Sequence, residues 1–343
     1  RYDHRILFHP ISVVILLSLV WMLMTTMTSE LPEVSAKYTI ARLWFVTVMY
    51  FAVIELFRRD LRNVRTFVWL YTVPLIGIVI YATYRLIQMG MDKEMAHFSM
   101  QPFYKDHAVY GACIALFIPL VAGIAFFRKY PSTYRFFAGI VLIVLMMGLV
   151  FSYSRAAWVS IAGVVGLYTV MRLKLDLKVL LFGILTTVLV LFTFYDKMMM
   201  ELERNKTDSS DDLAEHVESI SNVSTDASNL ERLNRWNAAR EMWKERPLTG
   251  WGPGTYSFVY APFQHSEDLT IISTNQGNLG NAHSEYLGPM SEQGVPGLLL
   301  VVALVGIVVY RSLTLYYNMD EGEEKMILAG AFLGLVTYFI HGV

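Results

Sequence analysis

Residues 136–171 read FFAGIVLIVLMMGLVFSYSRAAWVSIAGVVGLYTVM and contain a single charged side chain, Arg155. The apolar runs on either side of this arginine, near 136–153 and 156–173, are each about as long as a helix that crosses a membrane. An arginine near a bilayer is costly, so it usually faces a cavity or a partner. The stretch therefore predicts two membrane helices joined by a short turn at Arg155.

Comparable apolar runs recur along the whole chain. Apolar residues make up 55% of the 343 positions and charged residues only 17%, whereas soluble proteins carry about 25% charged residues. This composition excludes an ordinary soluble domain and predicts an all-α, polytopic transmembrane bundle. We predict nine helices, near residues 6–27, 38–57, 66–89, 107–127, 136–153, 156–173, 178–195, 284–310 and 326–343.

The distribution of Lys and Arg predicts the orientation of these helices. The connections around 58–65, 128–135 and 172–178 are basic, whereas those at 28–37 and 90–106 are poor in Lys and Arg. Basic loops lie on the cytoplasmic side. We therefore expect transmembrane helices 1–7 in residues 1–195, an external loop region in residues 196–282, and helices 8 and 9 in residues 283–343.

The external region has two predicted parts. Residues 203–229 are rich in Ser, Asp and Asn, as mobile loops are. An amphipathic helix is predicted near 229–246, because Ser228 and Glu231 fit a capping box and Pro247 limits the far end. The apolar face predicted for this helix consists of Arg232, Trp236, Ala239 and Trp243.

Two arginines on this helix are candidate ligands for an anion. Arg232 lies at the centre of the predicted apolar face and Arg235 on its flank. An arginine can pack its stem against a tryptophan and keep its guanidinium available for an anion. A snorkelling arginine that only packs on Trp236 is the structural alternative, and the helix alone leaves both open.

A glycine-rich turn, Gly250-Trp-Gly-Pro-Gly-Thr-Tyr256, follows the helix. It lacks the Lys-Ser/Thr pair of a phosphate-binding P-loop, and no strand precedes it. We therefore predict a structural turn, in which glycine permits backbone conformations that other residues avoid.

Further cations are expected on the outer face. In the predicted topology Arg42 and Arg85 fall toward the outer ends of their helices, as Arg155 does. Arginines that converge there from distant parts of the chain would form an anion site. Interfacial arginines that reach lipid headgroups are the alternative.

The histidines suggest acid–base chemistry rather than metal binding. His283, in Asn281-Ala-His-Ser-Glu-Tyr286, stands where the external segment meets a membrane helix. Neither His283 nor the other external histidine, His265, belongs to a metal-ligand spacing. His107 opens an outer helix end and is either interfacial or site-lining. We expect no metal and no cofactor, with a histidine base and arginine clamps as the chemical tools.

Three ordered blocks between about residues 140 and 310 resemble the O-antigen ligase and polymerase superfamily of bacterial membrane glycosyltransferases. The first is Ser154-Arg-Ala-Ala-Trp158. The second is Arg232 four residues before Trp236, followed by RPLTGWGPG at 246–254. The third is AHSEYL at 282–287 with EQGVPG at 292–297. Residue 284 is Ser where the family often has Asn.

The resemblance implies a GT-C-like helical membrane fold with an active site on the periplasmic face of the bacterial inner membrane. Such enzymes transfer a glycan from undecaprenyl diphosphate to an acceptor hydroxyl with inversion. By motif match, Arg155 and Arg232 would hold the diphosphate and His283 would assist the acceptor. Arg42, Arg85, Arg235 and His107 are additional candidates for substrate binding.

The chemistry is consistent with these roles. The departing diphosphate gains negative charge, which fixed guanidiniums stabilise without a metal. A neutral imidazole can accept the proton of the acceptor hydroxyl at neutral pH.

The expected reaction is that of an O-antigen ligase, in which lipid A–core in lipopolysaccharide biosynthesis accepts the glycan. A repeat-unit polymerase or a protein O-oligosaccharyltransferase of the same superfamily would use nearly the same residues. A transporter of lipid-linked glycans is the alternative from another class, although no internal repeat favours it. No nucleic-acid partner is expected.

Overall fold

The computed structural model describes residues 3–174, 227–265, 269, 273 and 280–342. All regular secondary structure in these ranges is helical, which confirms the predicted all-α class. In chain order the α-helices are α1 (Pro10–Met27), α2 (Pro32–Phe45), α3 (Val53–Arg59), α4 (Arg62–Gln88), α5 (Lys93–Ser99), α6 (His107–Phe126), α7 (Ser132–Phe151), α8 (Arg155–Arg172), α9 (Ala227–Glu245), α10 (Tyr256–Val259), α11 (Leu287–Asn318) and α12 (Glu323–His341).

Seven helical segments of the described residues are long and apolar enough to cross a membrane. They are Pro10–Met27, Pro32–Arg59, Arg62–Gln88, His107–Phe126, Ser132–Phe151, Leu287–Asn318 and Glu323–His341. The second joins α2 to α3 through a π-helical stretch, Val46–Ala52. The predicted run near 156–173 forms α8, which is less apolar because an arginine stands at each end. The predicted helix near 178–195 lies outside the described residues.

The chain forms two compact units. Of the described residues, 3–51, 227–265, 269, 273 and 280–308 make up the first, and 52–174 and 309–342 the second. The helix α11 begins in the first unit and ends in the second. The segments predicted from sequence, 1–195, 196–282 and 283–343, concern position relative to the membrane rather than packing, and they stay a prediction.

In the second unit α6 is the central helix and packs against α7, α8 and α12. Its side chains Ile114 and Val121 are fully buried. The α12 backbone approaches α6 closely, because a β-carbon added at Gly334 would lie 2.4 Å from the carbonyl oxygen of Leu116. Small residues allow such approaches between membrane helices, where dispersion contacts replace the hydrophobic effect as the main attraction.

The second unit has two ends, each named here after one of its arginines. One end, called the Arg62 end, contains the first turns of α4, α7 and α12, and Arg65 pairs there with Glu323 at 3.2 Å. Arg172, at the last turn of α8, lies 4.0 Å from Glu321 at the same end. The opposite end, called the Arg155 end, contains the last turns of α4 and α7 and the first turns of α6 and α8.

In the first unit α11 is interrupted near its start. Gly294 has φ 69° and ψ −167°, which is not helical. Pro296 has no N–H, so the carbonyl of Glu292 has no donor from its own helix. Because Gly294 breaks the regular pattern, the N–H of Val295 is also available to a partner outside the helix.

The glycine-rich turn supplies the missing partners. The Gly252 N–H donates to the Glu292 carbonyl at 2.8 Å, and the Val295 N–H donates to the Pro247 carbonyl at 2.9 Å. The approach requires glycine, because a β-carbon at Gly250, where φ is 65°, would lie 2.2 Å from the Glu292 carbonyl carbon. The RPLTGWGPG and EQGVPG blocks therefore form one structural element, and the predicted structural turn is confirmed.

Candidate active site

The first element of interest is the corner at which α7 turns into α8. Tyr153 has φ 49°, a left-handed conformation that reverses the chain direction there. The indole Nε1 of Trp158 donates to the carbonyl of Leu149 at 2.8 Å and so ties α8 to the end of α7. Arg155 is the first residue of α8. The arginine thus stands on a braced helix terminus rather than on a flexible loop.

The small residues of the same motif pack this corner against α6. A β-carbon added at Gly111 would lie 2.8 Å from the Ser154 β-carbon and 3.1 Å from that of Ala157. Ser154 and Ala157 are both buried, whereas Arg155 is half-buried. The Ser154-Arg-Ala-Ala-Trp158 motif therefore uses its small residues and its tryptophan for packing, which fixes the position of its arginine.

Two further candidates lie at the Arg155 end of the second unit. Arg85, in the last turn of α4, donates from Nη1 to the carbonyl of Gln101 at 2.7 Å. His107, the first residue of α6, lies 3.2 Å from Asp106 through Nδ1, and its ring stacks on His97 with centroids 3.9 Å apart. The second unit thus brings Arg85, His107 and Arg155 to one end. The contact of Arg85 is structural, and substrate binding by Arg85 and His107 stays a prediction.

In the first unit α9 begins at Ala227, two residues before the predicted start, and its packed face differs from the predicted one. The half-buried side chains include Arg232 and Trp236. The fully buried positions are Glu231, Asn234, Ala238, Ala239 and Met242. This face lies one residue earlier, about 100° around the helix. The prediction that Arg232 is at the centre of the packed face was therefore wrong, and Arg235 lies on that face instead.

Arg235 connects α9 to the segment that contains His283. Its Nε donates to Glu231 Oε1 at 2.7 Å, and both side chains are largely buried, with 13% and 5% exposed. Its Nη1 lies 3.2 Å from the Asn281 carbonyl oxygen and 3.2 Å from Nε2 of His283. The other Glu231 oxygen accepts a hydrogen bond from Ser273. A buried carboxylate thus orients the guanidinium that contacts the candidate base.

The environment of Arg235 also includes aromatic rings and a glycine. Tyr256 donates its hydroxyl to the Arg235 carbonyl at 2.8 Å, and burial raises the pKa of this hydroxyl. The Arg235 guanidinium lies 5.8 Å from the ring centroid of Tyr260. A β-carbon at Gly280 would come within 2.2 Å of Nη1, so only glycine leaves room for this guanidinium position.

His283 has an unusual backbone conformation. Its φ is 48°, in the left-handed region that residues other than glycine adopt rarely, and its side chain is exposed. The adjacent Ser284 Oγ accepts hydrogen bonds from the N–H groups of Tyr286 and Leu287, each at 3.3 Å. Ser284 therefore caps the start of α11, a task that asparagine also performs well. The departure from the family pattern at this position leaves the cap intact.

The contact between Arg235 and His283 determines the tautomer of the imidazole. A guanidinium has only N–H donors, so Nε2 of His283 must accept in this contact. A histidine whose Nε2 accepts, and which is neutral, has its proton on Nδ1. Nε2 is therefore the unprotonated nitrogen of the ring, and its lone pair accepts from Arg235.

Arg42 lies on α2 in the first unit and is exposed. Its Nη2 donates to the Tyr38 hydroxyl at 2.8 Å. The Tyr38 ring packs on the glycine-rich turn, because a β-carbon at Gly254 would lie 2.8 Å from Tyr38 Cδ2. The turn thus has an arginine close by, and substrate binding by Arg42 stays a prediction.

Two residues of this network were missed by sequence reasoning. Glu231 was assigned only a capping role, although its spacing of four residues from Arg235 is typical of an ion pair on a helix. Gly280 carried no sequence signal, because its role depends on Arg235, which is distant in sequence. Within the described ranges, no group of three or more His, Cys, Asp or Glu side chains is arranged to hold a metal ion.

The chain matches the Wzy_C family, described as O-antigen ligase, over residues 138–302. A search of curated proteins finds no match. The matched stretch contains the braced corner at Arg155, the helix with Arg232 and Arg235, the glycine-rich turn, and His283. The predicted resemblance is therefore confirmed. Residues 138–302 form an O-antigen ligase family domain, and the chain is a multi-pass membrane glycosyltransferase of the O-antigen ligase and polymerase type.

Proposed function

We propose that this glycosyltransferase is an O-antigen ligase. It transfers a glycan from undecaprenyl diphosphate to a hydroxyl of lipid A–core at the periplasmic face of the inner membrane. The observation that carries the chemical part of this proposal is the contact between Arg235 and Nε2 of His283. In this contact Nε2 of an exposed histidine of the family domain is the accepting nitrogen, which supports its role as a base.

In the proposed reaction His283 is the general base. The acceptor hydroxyl oxygen attacks the anomeric carbon, and its proton passes to Nε2 of His283. The bond from the anomeric carbon to the diphosphate oxygen breaks, and the diphosphate leaves with the electron pair. General-base catalysis of this kind contributes roughly 10²- to 10⁴-fold.

The acceptor must displace the resting partner of the base. Because Nε2 has one lone pair, the acceptor O–H takes the place of the Arg235 N–H on this atom. The Arg235 Nη1 donor is then available for an oxygen of the substrate, while its Nε stays paired with Glu231. Binding of the lipid A–core hydroxyl to His283 thereby frees an N–H of Arg235, which can then form a hydrogen bond to the substrate.

Arg155 and Arg232 are proposed to stabilise the diphosphate. Arginine suits this task because its planar fork can bind two phosphate oxygens at once. Both arginines lie in the family domain. The packing of the corner around Arg155 supports its role, since a positioned donor stabilises developing charge without reorganising.

The proposed orientation of the protein in the membrane rests on the distribution of Lys and Arg. At the Arg62 end of the second unit, Lys and Arg residues are concentrated in the connections that precede α4 and α7 and that follow α8. Such connections face the cytoplasm. The Arg155 end then faces the periplasm, where lipid A–core is available.

A competition assay tests the choice of acceptor. Purified protein receives a labelled undecaprenyl-diphosphate glycan together with lipid A–core, and a parallel reaction contains the donor alone. We expect glycosylated lipid A–core and no lengthened glycan on the donor. Lengthening of the donor glycan, with lipid A–core unmodified, would identify a polymerase. A transporter would consume neither substrate in detergent, and it would move the donor lipid across the membrane of vesicles.

A further inference from the structure

A groove at the Arg62 end of the second unit takes no part in the proposed reaction. Its volume is about 940 Å³, and α4 and the start of α7 line it. Arg62 and Arg65 lie in the first turn of α4, and Leu70, Val73 and Pro74 continue the wall along the same helix. Leu70 and Val73 are 71% and 59% exposed. The groove is thus apolar along its length and cationic at one end.

The wall has the length of one bilayer leaflet. Arg62 and Pro74 are twelve positions apart on α4, which corresponds to about 18 Å along a helix axis. Half the hydrocarbon core of a bilayer is about 15 Å thick. An acyl chain that starts at the arginines would therefore run along the apolar wall toward the bilayer centre.

The two arginines at the cationic end of the groove, called its mouth, have different partners. Arg65 is held by Glu323 at 3.2 Å and lies over the Tyr130 ring at 5.6 Å. Arg62 is exposed, and no described residue pairs with its guanidinium. Arg59, at the end of α3 three residues before Arg62, is already bonded to Glu55 at 3.1 Å. Arg62 is thus the arginine at the mouth whose charge is available to a ligand.

Aromatic side chains complete the mouth. Trp69 donates its indole N–H to the Tyr134 hydroxyl at 2.6 Å, and both side chains line the groove. Tryptophan and tyrosine favour the depth at which lipid headgroups meet hydrocarbon. Their position beside the arginines places the cationic end of the groove at headgroup level.

We propose that this groove binds an anionic phospholipid, with its phosphate on Arg62 and an acyl chain on Leu70 and Val73. A free phosphate would leave the apolar wall unused. A zwitterionic lipid adds a positive headgroup charge that the neighbouring arginines repel. Basic pockets between membrane helices bind anionic headgroups through the same combination of charge and apolar surface.

Native mass spectrometry of the purified protein tests the proposal with phosphatidylglycerol and phosphatidylcholine of identical acyl chains. We expect preferential retention of phosphatidylglycerol by the wild type, and about a fivefold loss of its affinity in Arg62→Ala. Arg59→Ala is the matched control, because it removes the same charge three residues away, at the end of α3, and Arg59 does not line the groove. The affinity of this variant for phosphatidylglycerol should equal that of the wild type. Val73→Trp places a larger side chain in the groove and should therefore lower the retention of both lipids.

Three outcomes would overturn the proposal. The first is equal retention of the two lipids by the wild type. The second is an equal loss in Arg62→Ala and Arg59→Ala, which would indicate a general effect of surface charge. The third is displacement of phosphatidylglycerol by an equimolar polyprenyl phosphate, which would assign the groove to the donor lipid.

Discussion

The side chain of Glu292 joins the glycine-rich turn to α11, and its replacement by glutamine should loosen that connection. One carboxylate oxygen accepts from the Gly254 N–H at 2.8 Å and the other accepts from the Tyr256 N–H at 3.0 Å. Glutamine has the same size but only one acceptor oxygen. Its amide nitrogen would face one of the two N–H donors, so that one buried hydrogen bond is lost.

The magnitude follows from these two bonds. Removing one partner of a buried hydrogen bond costs about 1–3 kcal/mol, because the N–H that remains is desolvated without an acceptor. The other N–H keeps the amide oxygen of glutamine as its acceptor. We therefore expect Glu292→Gln to lower the free energy of unfolding by about 2 kcal/mol. Transfer activity should fall as well, because the turn connects α9, with its arginines, to α10.

Denaturant titration of the purified protein in mixed micelles measures this change, and the glycan transfer assay measures the activity. Glu285→Gln is the matched control. Glu285 is exposed, lies seven residues before Glu292, and makes no hydrogen bond to the glycine-rich turn. Its free energy of unfolding should change by less than about 0.5 kcal/mol. Equal stability of the two variants would refute the role assigned to Glu292.

Three other predictions concern the site itself. Gly280→Ala should displace the Arg235 guanidinium and lower kcat/KM about 5- to 30-fold with little loss of stability, since one orienting hydrogen bond is removed; unchanged kinetics in purified enzyme would contradict the positioning role. Arg155→Lys and Arg232→Lys should each retain less than about a tenth of wild-type transfer, because an ammonium cannot form the paired bonds of a guanidinium; full activity in either variant would remove that residue from the diphosphate site. Excess chelator should leave the transfer rate unchanged, and a strict requirement for a divalent cation would contradict the metal-free mechanism.

The membrane helices were predictable because their composition is imposed directly by the bilayer. A spanning segment must be apolar and helical to satisfy its backbone, so the run at 107–127 became α6 almost without change. The start of α2 was predicted six residues late. Glu33 and Lys37 interrupt the apolar run, whereas Pro32 is a favourable first residue of a helix.

The packed face of α9 was not predictable by counting apolar residues. Glu231 is buried there because Arg235 and Ser273 satisfy its carboxylate. A pattern of single residues assigns Glu231 to the exposed side, since the pattern does not include the partners that allow a charge to be buried. The hydrogen bond between Gly252 and Glu292 was not predictable for a similar reason, because it joins residues of two motifs that are forty positions apart in the sequence.

The candidate site was located by motif, and its internal contacts required the structure. The sequence indicated that His283 and Arg235 were both of interest. It did not indicate that Arg235 contacts Nε2 of the histidine, or that the left-handed backbone at residue 283 presents the ring to solvent. Such contacts depend on tertiary packing, which periodicity along the chain does not record.

Single-turnover transfer by His283→Ala is the most direct test of the proposed mechanism. Purified wild type and variant receive the undecaprenyl-diphosphate glycan and lipid A–core, and glycosylated lipid A–core is quantified, with the thermal unfolding midpoint as a control for folding. The mechanism predicts a rate at least about 100-fold below that of the wild type, with an unchanged midpoint. A variant that transfers the glycan at the wild-type rate would contradict the assignment of His283 as the base.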